Sequence, residues 1–305
     1  MNPPNPLLAV GSIALDSIKT PKGNRLDILG GSASYFTLAA SLFTEVRVVG
    51  VVGTDFPEDG HALFHKPNVN AENLQIEQGT TFRWGGRYSN DYSSRETLFT
   101  ELGVFETFTP QIKQHHRDTP FVFLGNIHPS LQLHVLDQMK DDALIVTDTM
   151  NLWIDTALSE LNDVVAKSNT FLLNDEEAVQ LTGKDDLSLA GKHLLERGPD
   201  TVIIKKGAEG SLIFQNGDCV SVPVYPGVEV KDPTGAGDSF AGGFLGMLST
   251  GKKQDLTQAV LTGSAVASVT VSDFGVEGLK SLTMEEITLR SQKISSLMSE
   301  NKILV

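Results

Sequence analysis

A single cysteine, Cys219, stands among 305 residues. It has no partner for an internal disulfide and no second thiolate with which to hold a metal, which fits a reducing compartment. Positive charge is also scarce. Against 38 aspartates and glutamates there are 24 lysines and arginines, for a formal charge of -14 and an isoelectric point near 4.9. That balance argues against nucleic acid and against anionic membrane as partners, since both are gripped by basic surfaces. No apolar run approaches the roughly 20 residues needed to span a bilayer. The opening MNPPNPLLAVGSIALD has no basic region ahead of its short apolar run, so it reads as a first strand and a cytoplasmic location is expected. The seven histidines show no HExxH or comparable paired spacing, which disfavours a histidine-held metal. The first βα turn lacks G-x-G-x-x-G, which disfavours a dinucleotide dehydrogenase.

What is present is an ordinary globular composition, 40% hydrophobic and 20% charged. The length suits one large α/β domain over residues 1–305 with a small appendage. Near-continuous apolar runs at Leu7–Val10, Val46–Val52, Phe121–Leu124, Leu144–Thr147, Phe171–Leu173 and Val202–Lys205 read as strands covered on both faces. Between them, helical spacing is expected over Ser32–Phe43, Pro129–Lys140, Glu176–Thr182 and Leu187–Arg197, with a helical series from Gly237 and a last helix over Met284–Val305. Such alternation predicts a mostly parallel sheet with helices on both faces. Residues 79–108 break the rhythm with aromatic and β-branched residues and turn signals at Gly85-Gly86 and Ser89-Asn90-Asp91. With residues 13–29 they are expected to form a small antiparallel β-lid.

The most informative stretch is Asp232-Pro233-Thr234-Gly235-Ala236-Gly237-Asp238-Ser239-Phe240. Small residues at Gly235, Ala236 and Gly237 let a backbone approach a ligand closely just as a helix begins, and free N–H groups at a helix start bind anions. Asp238 then sits where it can take a proton from an incoming hydroxyl. Local sequence alone serves equally well for a helix-start acid favoured by the dipole.

This segment resembles the signature of the ribokinase-like, or phosphofructokinase-B, carbohydrate kinase family, and the likeness extends over nearly the whole chain. Gly11-Ser12-Ile13-Ala14-Leu15-Asp16 is similar to the family's G-x-x-x-x-D. The segment Gly30-Gly31-Ser32-Ala33-Ser34-Tyr35 is similar to its G-G-x-x-x-N, with Tyr35 in place of the usual asparagine. The resemblance implies a ribokinase-like fold and transfer of the γ-phosphoryl of ATP to a hydroxyl of a small sugar or polyol. Asp238 would be the base, Gly235, Ala236 and Gly237 the anion hole, and Asp16, Gly30, Gly31, Tyr35 and Asn151 the acceptor site. Asn174 and Glu177 match the family's N-x-x-E, which implies Mg2+ held near Glu177 through water; local sequence reads the same residues as a helix cap. Lys205 and Gly207 are placed by the resemblance at the ATP phosphates and ribose, and Ser264 and Gly275 at the adenine. A monovalent cation such as K+ beside residues 232–234 and a homodimer through the lid are further expectations of the same kind. Trp84, Tyr88 and Tyr92 of the lid offer rings to a base or to a sugar face. A nucleoside kinase of the same family is therefore the neighbouring alternative, and a non-catalytic nucleotide-binding sensor a third. Asp148-Thr149-Met150-Asn151 ends a strand where sugar kinases often carry D-P-N-x-R, without the arginine.

Overall fold

Leu7, Leu8, Ala9 and Val10 are all fully buried. A strand with no polar face has to be covered on both sides, and this one lies near the middle of a sheet. The computed structural model describes residues 4–251 and 255–301. Strand β1 (Leu7–Val10) leads into the hairpin β2 (Ala14–Thr20) and β3 (Gly23–Gly30), after which α1 (Ser32–Ala40) returns the chain to β4 (Val46–Gly53). Then come α2 (Glu58–Phe64), β5 (Val69–Glu77), β6 (Phe82–Tyr88) and β7 (Arg95–Glu101). Strands and helices next alternate through β8 (Phe121–Leu124), α3 (Pro129–Leu136), β9 (Leu144–Asp148), α4 (Asn151–Thr156), α5 (Leu158–Lys167), β10 (Thr170–Asn174), α6 (Asp175–Thr182), α7 (Leu187–Leu195) and β11 (Thr201–Lys205). The hairpin β12 (Ser211–Gln215) and β13 (Asp218–Val222) precedes the helices α8 (Ala236–Ser249), α9 (Leu256–Thr270), α10 (Glu277–Lys280) and α11 (Met284–Asn301). The expected last helix is thus present, and its final residues, 302–305, lie outside the described ones.

The large sheet has nine strands in the order β13-β12-β11-β10-β9-β8-β1-β4-β5, parallel from β11 to β5 and antiparallel at the β12–β13 edge. Alternation along each strand feeds two layers. Leu7 and Ala9 join Phe36 of α1, Phe240 and Phe244 of α8 and Val266 of α9 on one face. On the other face, Leu8 and Val10 join Val135 of α3 and Val164 of α5. Ring stacking of Phe36 on Phe123, centroids 4.1 Å apart, ties α1 to β8. The small sheet, β3-β2-β6-β7, is two antiparallel hairpins joined by a parallel β2–β6 pairing. Among the described residues no helix is long and apolar enough to cross a membrane.

Two local expectations change. Gly85-Gly86 is not a turn. Both lie inside β6 at a register shift, where an added Cβ on Gly85 would meet the Phe99 ring and one on Gly86 the Trp84 ring. Backbone against aromatic faces, rather than chain reversal, is what these glycines serve. The sequence reading also omitted β5 and the β12–β13 hairpin. That hairpin turns on Asn216-Gly217, with φ of 53° and 86°, the positive pair that a two-residue hairpin favours and that Asn-Gly supplies.

Truncating Phe123, fully buried under Phe36, should lower stability. Phe123→Ala is expected to cost about 3–5 kcal/mol in chemical denaturation.

Candidate active site

Parallel strands finish at one edge, and in open α/β sheets that edge is where ligands collect. Here it carries Asp148 at the end of β9, Asn174 at the end of β10 and Lys205 at the end of β11. Register brings Asn174 beside Lys205, and Asp148 beside Leu172 on the strand between. Lys205 Nζ donates to both oxygens of buried Asp148, at 3.0 and 2.9 Å.

Against this ion pair comes the start of α8. Gly235, at the cap, has φ +73°, a conformation that L side chains avoid and glycine tolerates. Its Cα lies over the face of Tyr35, because a Cβ there would run into the phenol ring. At Gly237, in the first turn, a Cβ would lie 3.0 Å from Lys205 Nζ and 3.8 Å from Asp148 Oδ2. The helix start therefore lies close against Lys205, and its positive end and the ammonium point to the same place, an arrangement that favours an anion. Asp238 follows directly. Loss of hydration, reinforced by Asp148 and only partly offset by Lys205, its own amide and Arg95, pushes its carboxyl up to about 7.

A second acid approaches from the small sheet. Asp16, on β2, is 4% exposed, and burial together with Asp232 and Asp238 pushes it up to about 8, against the Gly31 N–H and Arg95. Gly30 makes room for it: a Cβ there would occupy the position of Asp16 Oδ2. Ser12 N–H donates to Ser32 Oγ at 3.1 Å and Ser32 N–H to Ser12 Oγ at 3.2 Å, lacing the two N-terminal motifs together. Tyr35 is 1% exposed, with its hydroxyl unpartnered. Burial, then the fields of Asp16 and Asp232, push that hydroxyl well above its ordinary range.

At the other end of the edge, Asn174 and Glu177 form a capping box. Asn174 Oδ1 accepts from Glu177 N–H at 2.7 Å, and Glu177 Oε2 accepts from Asn174 N–H at 2.8 Å. The cap does not exhaust the acid. Glu177 is 5% exposed, and burial pushes it up to about 7 even though Lys205 pulls it down. Burial works against the Lys205 ammonium too, yet Asp148, Glu177 and Asp238 together hold it above its ordinary value.

Four further expected residues lie around this group. The Asn151 amide donates to Gln180 Oε1 on α6 at 2.9 Å. Gly275 N–H donates to Asp232 Oδ2 at 2.9 Å, and its Cα packs on Ile28 of β3. Gly207 opens the exposed loop after β11 with φ +52°, and Ser264 is half-buried on α9. Sequence reasoning placed Asp148 only within a strand-end segment where ligands gather, and read Arg95, with Arg83 and Arg87, as a lid arginine that either meets a phosphate or belongs to a solvated face of the hairpin. In the structure Arg95 acts on Asp238 from β7, its guanidinium 5.3 Å from the Trp84 ring.

Glu72, His115 and His116 also bring ligand atoms within 4.8 Å of one another. Lys113 N–H donates to Asn73 Oδ1, so Asn73 Nδ2 is the donor to His116 Nδ1 at 2.8 Å. The neutral ring then carries its proton on Nε2 and offers a metal no lone pair.

A half-buried acid at a helix start, a second, buried acid from the small sheet and a paired lysine at the edge of a parallel sheet are the parts of a phosphotransferase. A family model for the pfkB family carbohydrate kinases matches residues 12–281, and this chain belongs to that family. It is 29% identical over 254 residues to the cytidine kinase of Thermococcus kodakarensis, covering 81% of this chain and 89% of the other. To the nucleoside kinase of Methanothermobacter thermautotrophicus it is 34% identical over 306 residues, covering 89% and 91%. An Escherichia coli protein described provisionally as ribokinase II, solved with ATP and Mg2+, superposes with a TM-score of 0.81 at 18% identity over 95% of this chain and 99% of that one. Kinases of this family use ATP, and the acceptor class is a nucleoside or a sugar.

Gly30→Ala should drive Asp16 from its place. Acceptor KM is expected to rise at least tenfold, about 1.4 kcal/mol or more, with ATP KM unchanged, in steady-state kinetics.

Proposed function

We propose that this kinase phosphorylates a nucleoside on a ribose hydroxyl, with Asp238 as the base. The observation that carries the reading is the arrangement around α8: an acid raised to about 7 at a helix start that faces the Lys205–Asp148 pair. The curated relatives named above as cytidine and nucleoside kinases support the acceptor class. So does Trp84, whose indole lies along β6 over Gly86 and beneath the Arg95 guanidinium, an aromatic plate beside the strand that carries Asp16. Tyr35, in the place of a frequent asparagine, puts an unpartnered phenol where an acceptor hydroxyl or its water would bond.

In this reading Asp16 accepts hydrogen bonds from the ribose and holds the reacting hydroxyl toward Asp238. As the acceptor oxygen bonds to the γ-phosphorus, Asp238 takes its proton and the bond to the β-phosphate oxygen breaks, releasing ADP. The α8 amides and Lys205 meet the charge on the moving group, a contribution of about 3 kcal/mol per well-placed donor. Magnesium fits the residues present. Glu177 is a buried acid whose Oε2 is taken by the cap, so Oε1 is the oxygen that would hold a magnesium-bound water. When bound, the ion would neutralise phosphate charge. Gly235, Ala236 and Gly237 form the anion hole, Gly31 sets the Asp16 turn, and Gly207, Ser264 and Gly275 keep their nucleotide-side roles by resemblance.

A panel of nucleosides, free sugars and inositols, scored by acceptor-dependent ADP release, should respond to nucleosides; a response to free sugars alone would overturn the acceptor. Asp238→Asn is expected to lower kcat by roughly a hundred- to ten-thousand-fold. For the wild type, the base must be ionised, so log(kcat/KM) should rise with pH up to about 7 and level off above it. Retention of that acid limb in the asparagine variant would assign it to another group.

A further inference from the structure

Two lid phenols that the sequence offers for stacking have their hydroxyls bonded to the loop before α8. Tyr88, at the end of β6, shares a hydrogen bond of 2.9 Å with Thr234 Oγ1. Tyr92, in the β6–β7 turn, donates to the carbonyls of Val230 and Lys231 at 3.0 and 3.3 Å. The other hairpin of the small sheet reaches the same loop: Thr20 Oγ1 donates to Lys231 O at 2.8 Å, and Lys22 pairs with Glu229 at 2.6 Å. The small sheet is therefore fastened to residues 229–234, and these run straight into Gly235.

The fastening is built on both sides. Within the loop, Asp232 is fully buried and accepts from Thr234 N–H and Gly275 N–H, both at 2.9 Å. A pull on Thr234 is thus delivered to the turn ahead of α8 rather than dissipated in slack chain. Within the lid, Tyr92 has φ +60°, a left-handed conformation unfavourable for a side chain of this size. Asp91 accepts from Ser89 Oγ and Ser93 Oγ, both at 2.7 Å, and from Ser93 N–H at 3.1 Å, which holds the turn in that shape. A hairpin that only covered the acceptor would need neither the left-handed tyrosine nor the bonds beyond it.

We propose that Tyr88 and Tyr92 are positioning residues that couple seating of the small sheet over the acceptor to alignment of the phosphoryl-binding turn at Gly235–Gly237. The proposal rests on the reading of that turn as the anion hole. With an acceptor under the sheet, the two phenols hold loop 229–234 so that the α8 amides and Asp238 meet the γ-phosphoryl group. Without one, the alignment is lost and water is a poor acceptor.

The test compares Tyr88→Phe and Tyr92→Phe with wild type for two rates: transfer to the nucleoside found by the panel, and ATP hydrolysis without acceptor. Removing one hydrogen bond from the coupling should lower the transfer-to-hydrolysis ratio about tenfold, with the KM for ATP unchanged. Thr234→Val should match Tyr88→Phe, and the double variant should be no worse than either alone. A ratio unchanged in both tyrosine variants, including a fall of both rates by the same factor, would overturn the proposal. Asp238→Asn run alongside separates the two failures. If it is inactive while the tyrosine variants keep the wild-type ratio, only the coupling is wrong. If it retains full transfer, the reading of the α8 start is wrong as well.

Discussion

Asp16, Asp148, Glu177 and Asp238 converge on Lys205 and the first turn of α8, and Asp16, Glu177 and Asp238 are each held near or above neutrality. Like charges so close cannot all ionise without a counter-charge. Lys205 supplies part of it from inside the sheet edge, Arg95 part from the small sheet, and α8 part through its dipole. The arrangement looks ill suited to binding a polyphosphate in a chain of net charge -14. In the proposed reaction the phosphate brings its own cation, which would offset the acids while the helix start meets the anion. Loss of hydration, with Asp148 adding to it, raises Asp238 into the range that the proposed base needs near neutral pH.

The fold positions this group with few devices. Asp148 and Lys205 come from strands separated by β10, so their pairing depends on sheet order rather than on chain proximity. Asp16 depends on the absence of a side chain at Gly30, and the α8 start depends on the same absence at Gly235, where the Tyr35 ring fills the space below. Tyr35 is consequently a floor for the turn at Gly235, a packing role that a bulky ring fills at a position where a small amide is usual in the family.

Much of this was legible in the chain. Residues 232–240 are contiguous, so the family motif and the helix start could be read together, and apolar runs marked the central strands before any contact was known. Asn174 and Glu177 were ambiguous between cap and cation site; the structure shows the cap, closed by Glu177 Oε2, and a burial that raises the acid, while the cation role stays with the proposal. What stayed hidden is what folding assembles over distance. Nothing local distinguished Arg95 from its lid neighbours Arg83 and Arg87, and the bond from the Gly275 amide to Asp232 joins residues 43 positions apart. The Asn216-Gly217 turn was an available signal that went unused, whereas β5, with Asn70, Glu72 and Asn73 interrupting its apolar positions, offered little alternation to read.

Cys219 lies exposed on β13, the edge strand six positions across the sheet from β1. A dye attached to that thiol would report its separation from an indole by energy transfer. Trp84 rides on the small sheet, and Trp153 on α4 is the other indole in the chain. Replacing Trp153 would leave one donor on the moving hairpin and one thiol on the rigid sheet, so the molecule already carries the two ends of an optical ruler for its own closure.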